Sequence, residues 1–196
     1  MHTEPAPCGC SESLGDSLLH LARASIATAL GRPGDAVDDV AGLQDPGACF
    51  VTLTQHGQLR GCIGSLQARR SLRADVQANA VAAALQDTRF APLRLAELAH
   101  TDIEVSVLSP MQPLQFADEA DALAQLRPGV DGVVFEYGPH HSTFLPQVWA
   151  QLPQPRDFMA QLKRKAGLPA NFWDAGVRLQ RYTVQSWHEP SHHRRD

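Results

Sequence analysis

The chain has 196 residues, 43% of them hydrophobic and 19% charged, with a formal net charge of −4. That length suits one domain with a sizeable core and excludes wholesale disorder. The acidic balance argues against general binding to nucleic acid or anionic membranes, and no apolar run reaches the ~18 residues of a membrane span.

The opening residues, 1–13, carry Pro5 and Pro7 and little apolar content, and they predict a flexible tail. They lack the basic and apolar regions of a secretory signal, so a cytoplasmic protein with reduced thiols is expected. Ser13 with Asp16 resembles a capping box. Leu14, Leu18, Ala22, Ile26 and Leu30 then recur every four residues, predicting an amphipathic helix that Gly31 and Pro33 stop. From Ala48 to Thr54, Cys49, Val51 and Leu53 alternate with Phe50 and Thr52, which is a strand pattern. The turn residues 55–58 and a second strand over Leu59 to Ile63 complete a hairpin. Ser71 is the expected cap of a helix running to about Leu85.

Asp87 to Pro92 breaks that helix, and Leu93 to Leu98 predicts a short helical turn. Thr101 to Ser109 alternates most clearly, with Ile103, Val105 and Val107 against Asp102, Glu104 and Ser106. A short helix is expected from Asp118 to Leu126, followed by two strands flanking a turn at 138–141. Pro155 opens a helix through Ala166 that Gly167 ends. Val177 to Val184 predicts a final strand, with a polar tail over 188–196. Hairpins and helices interleave without a βαβ rhythm. The expected fold is α+β, a largely antiparallel sheet flanked by helices in a single domain.

Three segments carry a family resemblance. The first is Phe50 to Leu53 followed by Leu59-Arg60-Gly61-Cys62-Ile63-Gly64. The second is Asp87-Thr88-Arg89-Phe90-Ala91-Pro92-Leu93 followed by Ile103 to Ser109. The third is Thr143-Phe144-Leu145-Pro146-Gln147-Val148 followed by Phe158 to Leu168. Together they resemble the AMMECR domain, whose bacterial and archaeal form is called AmmeMemoRadiSam system protein A. The resemblance covers about residues 14–187 and implies an α+β fold, a single domain with two lobes, and an association with a Memo-like protein and a radical S-adenosylmethionine protein. It implies no settled activity.

The residues suggest chemistry of their own. Arg60 and Cys62 lie two apart on a predicted strand, so they share a face, and a guanidinium beside a thiol favours the thiolate. Gly61 and Gly64 leave room for a ligand or another backbone. Cys62 is thus either a structural core residue, a ligand contact or a nucleophile. Glu104 and Ser106 share a strand face, and Glu104 is expected to pair with Arg60 if their strands adjoin, either as a structural pair or as a general base. Asp87 and Arg89 suggest a local cap or pair, and Phe90 a core plug. Arg60, Gly61, Gly64, Ser106 and Thr143 are the candidate ligand contacts, with Cys62 and Glu104 the candidate catalytic residues. A small anionic ligand would suit them.

Metal ligation is not expected. His140 and His141 adjoin at a turn, His188, His192 and His193 fall in the tail, and Cys8 and Cys10 lack C-x-x-C spacing. No cofactor is implied. Two functions follow: a partner- or substrate-binding subunit of a Memo-like and radical S-adenosylmethionine system, or a small enzyme centred on Arg60, Cys62 and Glu104. Nucleic-acid binding through Arg69, Arg70 and Arg73 ranks below both, given the net charge of −4.

Overall fold

The computed structural model describes residues 13–189. Cys8, Cys10, His192, His193 and nearly all of the expected tails lie outside the described residues. Two compact units divide the chain: one runs to Val107 and resumes at Ser186, and the other is Leu108–Gln185. Every strand pair given a register is antiparallel, and helices accompany each four-stranded sheet, which is the expected α+β architecture.

The first unit begins with α1 (Leu14–Ala29), capped by the Ser13 side chain, which accepts from the Asp16 N–H. A short β1 (Pro46–Gly47) precedes β2 (Cys49–Gln55) and β3 (Gln58–Gly64). His56 and Gly57 both take positive φ, 51° and 73°, and so join the two strands in a tight hairpin. Then come β4 (Arg70–Ser71), α2 (Leu72–Leu85) capped by Ser71, α3 (Leu95–Leu98) and β5 (Asp102–Leu108).

The alternation read from the sequence sorts this sheet correctly. Cys49, Val51, Leu53, Ile103 and Val105 are buried with Leu18, Ala22 and Ile26 of α1 and Val76, Ala80 and Ala84 of α2. Residues on the opposite face of the same strands, Phe50, Thr52 and Glu104, are only partly buried.

The second unit contains β6 (Gln112–Leu114), α4 (Glu119–Gln125), β7 (Gly132–Tyr137), β8 (His140–Phe144), a 3-10 turn at Pro146–Ala150, α5 (Pro155–Lys165) and β9 (Arg178–Tyr182). Its sheet order is β6-β9-β7-β8. Phe135, Phe158, Leu162 and Leu179 fill its core, and Trp149 stacks on Phe158 with ring centroids 3.8 Å apart. His140 and His141 belong to β8 rather than to the turn, because Gly138 at φ 55° and Pro139 complete the turn alone.

The C-terminal reading needs correction. The expected final strand is β9, and a further strand, β10 (Val184–His188), follows it. The chain leaves β9 at Thr183, whose N–H donates to the Ser109 Oγ and whose carbonyl accepts from the Ser109 N–H. It then pairs with β5, giving the order β10-β5-β2-β3. His188 and Glu189 therefore belong to the fold and not to the tail. Glu189 accepts the Ile103 N–H at 3.0 Å and pairs with Arg23, which also donates to the carbonyls of Leu98 and Thr101. These bonds fix the end of β10.

Candidate functional site

Two of the family-like segments meet at one peptide group. β3 is an edge strand, so the N–H and C=O of Cys62 that point away from β2 have no strand partner. Asp87 and Arg89, from the loop after α2, supply both missing partners. The Cys62 N–H donates to Asp87 Oδ2 at 2.9 Å, and Arg89 Nη2 donates to the Cys62 carbonyl at 3.1 Å. Asp87 and Arg89 pair with each other through two hydrogen bonds of 2.9 and 2.7 Å. The Asp87 side chain is 5% exposed and that of Arg89 54%. The Arg89 guanidinium holds the Asp87 carboxyl well below the usual carboxylate range, and the Cys62 and Arg89 N–H groups add to that effect against the cost of burial. Phe90, expected as a core plug, is instead partly exposed with the Arg89 guanidinium 5.5 Å from its ring centre.

The Cys62 side chain lies on the sheet face opposite the helices. Its Sγ accepts from Thr52 Oγ1 at 3.3 Å. Thr52 is paired on one side with Cys62 and on the other with Glu104. The row continues to β10, where His188 Nδ1 sits 3.2 Å from Glu104 Oε2. The other carboxylate oxygen of Glu104 accepts from Ser106 Oγ at 2.8 Å, and Ser106 Oγ is 2.8 Å from Ser186 Oγ. Because Ser106 donates to Glu104, Ser186 must donate to Ser106. The face thus presents, across four strands, a thiol, a hydroxyl, a carboxylate and an imidazole. Cys62 and Glu104 are two strands apart, roughly 10 Å.

Several sequence expectations change. Arg60 does not pair with Glu104, because β2 separates β3 from β5. A register shift between Leu53 and Thr54 interrupts the regular alternation at Arg60. Its guanidinium instead reaches Glu97 of α3 at 3.4 Å. The cation beside Cys62 is Arg89. Gly61 and Gly64 leave room for protein rather than for open space: a Cβ at Gly61 would lie 2.2 Å from the Ala83 carbonyl oxygen, and one at Gly64 would lie 2.3 Å from the Phe50 ring. Thr143 belongs to the second unit, where its hydroxyl donates to the Val133 carbonyl at 2.9 Å and sits 3.1 Å from the Tyr182 hydroxyl.

Sequence reasoning missed His188 and Ser186, since a short strand followed by a polar tail offers too little alternation to recognise. It also missed that Asp87 and Arg89 reach Cys62; the only available signal was that their segment accompanies the LRGCIG segment in the resemblance. Among the described residues, no group of three or more His, Cys, Asp or Glu side chains could hold a metal ion. No helix of the described residues is long and apolar enough to cross a membrane.

Several known proteins are similar to this chain. A protein of Methanothermobacter thermautotrophicus is 39% identical over 142 residues, covering 71% of this chain and 74% of that one. One from Thermococcus onnurineus is 34% identical over 189 residues, covering 89% and 90%. The crystal structure of an uncharacterised protein from Pyrococcus horikoshii superposes with a TM-score of 0.79 at 29% identity, covering 91% of this chain and 93% of that one. The AMMECR1 family model matches residues 19–187, a span that holds all three resembling segments, so this chain belongs to the AMMECR1 family.

Proposed function

We propose that the chain is a partner- or substrate-binding subunit that works with a Memo-like protein and a radical S-adenosylmethionine protein. The observation that carries this reading is the pairing of a rigid backbone with an incomplete catalytic set. The buried Asp87 and the exposed Arg89 paired with it fix the Cys62 peptide. Yet the thiol accepts a hydrogen bond from a hydroxyl, that of Thr52, and the Glu104–His188 pair lies farther along the row. A fixed polar surface without a base next to its nucleophile suits recognition better than covalent catalysis. The association with these two partners rests on the family resemblance.

Co-elution of the full chain with both partners tests this reading. Complex formation is expected, and Thr52→Arg, which places a large cation in the middle of the row, should abolish it while leaving the circular dichroism spectrum unchanged. No complex with both partners at high concentration would overturn it, as would a complex that Thr52→Arg leaves intact.

A second reading, a small enzyme acting on an anionic substrate at Cys62, draws support from Arg89, whose guanidinium donates to the Cys62 carbonyl at 3.1 Å and so places a partly exposed cation beside that residue. It requires native Cys62 to react with iodoacetamide much faster than a free thiol near neutral pH. A rate equal to or below that of the free thiol excludes it.

A further inference from the structure

A sheet edge carries a row of unpaired backbone N–H and C=O groups, and proteins blunt such edges with charges, proline, short strands or covering loops. The two four-stranded sheets have four edge strands: β3, β10, β6 and β8. Three of them show a blunting device. Asp87 and Arg89 cap the Cys62 peptide of β3. On β8, Lys165 Nζ donates to the Thr143 carbonyl at 2.9 Å. β6 is three residues long, with Pro113 at its centre.

β10 has no such device among the described residues. Its sequence, Val184–His188, contains no Lys, Arg, Asp, Glu or Pro. The Glu189 N–H donates to the Ile103 carbonyl of β5 at 3.0 Å, so Glu189 and Trp187 direct their backbone groups toward β5. Ser186 and His188 therefore direct theirs away from the sheet. Both residues are exposed, and among the described residues nothing pairs with those outward N–H and C=O groups. Groups that repeat every second residue, about 6.8 Å apart, match the backbone of another extended segment.

The same two residues border the polar face, where His188 meets Glu104 and Ser186 meets Ser106. Paired residues share a face, so a strand added to β10 would carry the side chains opposite Ser186 and His188 onto that face. Ser186 also restricts what lies opposite. Its proton goes to Ser106, whose own proton goes to Glu104, so the Ser186 hydroxyl has only acceptor sites left. A second copy paired about Ser186 would set two such hydroxyls against each other with no proton between them. A segment with a donor side chain at that position completes the row.

We propose that an extended segment of the Memo-like or the radical S-adenosylmethionine protein adds to β10 as a fifth strand, with a donor side chain (Ser, Thr, Asn, Gln, Lys or Arg) opposite Ser186. The inference rests on the partner-binding reading of the polar face and states how the partner is held there.

The test is amide hydrogen exchange of the full chain, read residue by residue, alone and with the two partners, together with the affinities of two variants. In the free chain the Ser186 and His188 amides should exchange faster than those of Trp187 and Glu189. The partners should slow the first two at least about tenfold. Ser186→Pro removes an N–H that points out of the sheet, where proline is tolerated, and should weaken the complex at least about tenfold with an unchanged circular dichroism spectrum. Ser186→Ala keeps the N–H, loses the acceptor and should weaken it about threefold. A complex in which both amides exchange at their free rates overturns the proposal and leaves the partner-binding reading standing, as does one that neither variant weakens. No complex with the unaltered chain overturns both. A dimer of the chain alone that Ser186→Pro dissolves would give the edge to a second copy and so overturn the proposal.

Discussion

Cys49 and Cys62 are held by the same device and turned to opposite faces of one sheet. Each donates its backbone N–H to a buried aspartate that is paired with an arginine: Cys49 to Asp75, which pairs with Arg70, and Cys62 to Asp87, which pairs with Arg89. They differ in the face their side chains occupy. Cys49 points between the sheet and α2, where it is fully buried and Asn79 approaches its sulfur, and burial pushes its thiol far above the usual range. Cys62 points to the polar face, partly exposed and next to Thr52. The alternation of a β-strand therefore decides which cysteine is buried filling and which one faces the polar side of the sheet. The aspartate supplies position alone.

The two aspartates should separate most clearly in stability. Asp75 accepts from four groups: the Cys49 N–H, Ser65 Oγ, Arg70 Nε and Asn79 Nδ2. It ties the start of β2, the residue after β3 and α2 together. Asp75→Ala leaves those donors without their acceptor and should cost about 4 kcal/mol, read as a lowered urea midpoint or a failure to fold. Asp87→Ala removes a partner at the sheet edge, where Arg89 remains hydrated, and should cost about 2 kcal/mol. Its second effect is local: the Cys62 amide should exchange with deuterium faster than its neighbours in β2. Equal losses for the two variants would break the comparison.

Acid should sharpen it. Arg89 lowers the folded Asp87 carboxyl below its unfolded value, and the Arg94 N–H, with help from Arg60, does the same for Glu97. Such groups contribute stability that is fully present above the ordinary carboxylate range, about pH 4, and is lost as pH falls toward their folded values. The stability that the Cys62 clamp contributes should thus decline below about pH 4, while the clamp itself opens only near the lower folded value, and Asp87→Asn should flatten the acid side of the stability profile. An unchanged profile would contradict the lowered Asp87.

Arg60→Ala should have the smallest effect, below about 1 kcal/mol, because its partner Glu97 lies 3.4 Å away and is partly exposed. A large loss would mean that Arg60 supports the Cys62 face after all.

The parts of this comparison that the sequence reveals are those governed by local rules. Period-two alternation places Cys49 among Val51 and Leu53, and Ser13 and Ser71 mark two helix starts by their capping chemistry. The pairing of Asp87 with Arg89 is also legible, since they are two residues apart. Their reach to Cys62, across 25 residues of chain, is not: it depends on the loop after α2 folding against an edge strand, which no spacing encodes. Arg60 shows the same limit. Its face on a regular strand is predictable, but the bulge beside it and the intervening β2 redirect it to Glu97. His188 was hidden for a different reason: its strand is short and leads into a polar tail, and only its pairing with Glu104 reveals that it belongs to the sheet.

The central claim, that the polar face around Cys62 is where a partner or substrate binds, is tested most directly by the thiols themselves. Native-state alkylation is measured by mass spectrometry on the Cys8→Ser/Cys10→Ser chain, alone and with the Memo-like and radical S-adenosylmethionine proteins. The account predicts that Cys62 is labelled in the free folded chain, that Cys49 is labelled only on unfolding, and that the partners slow labelling of Cys62. A complex that forms while Cys62 is labelled at its free rate would contradict it.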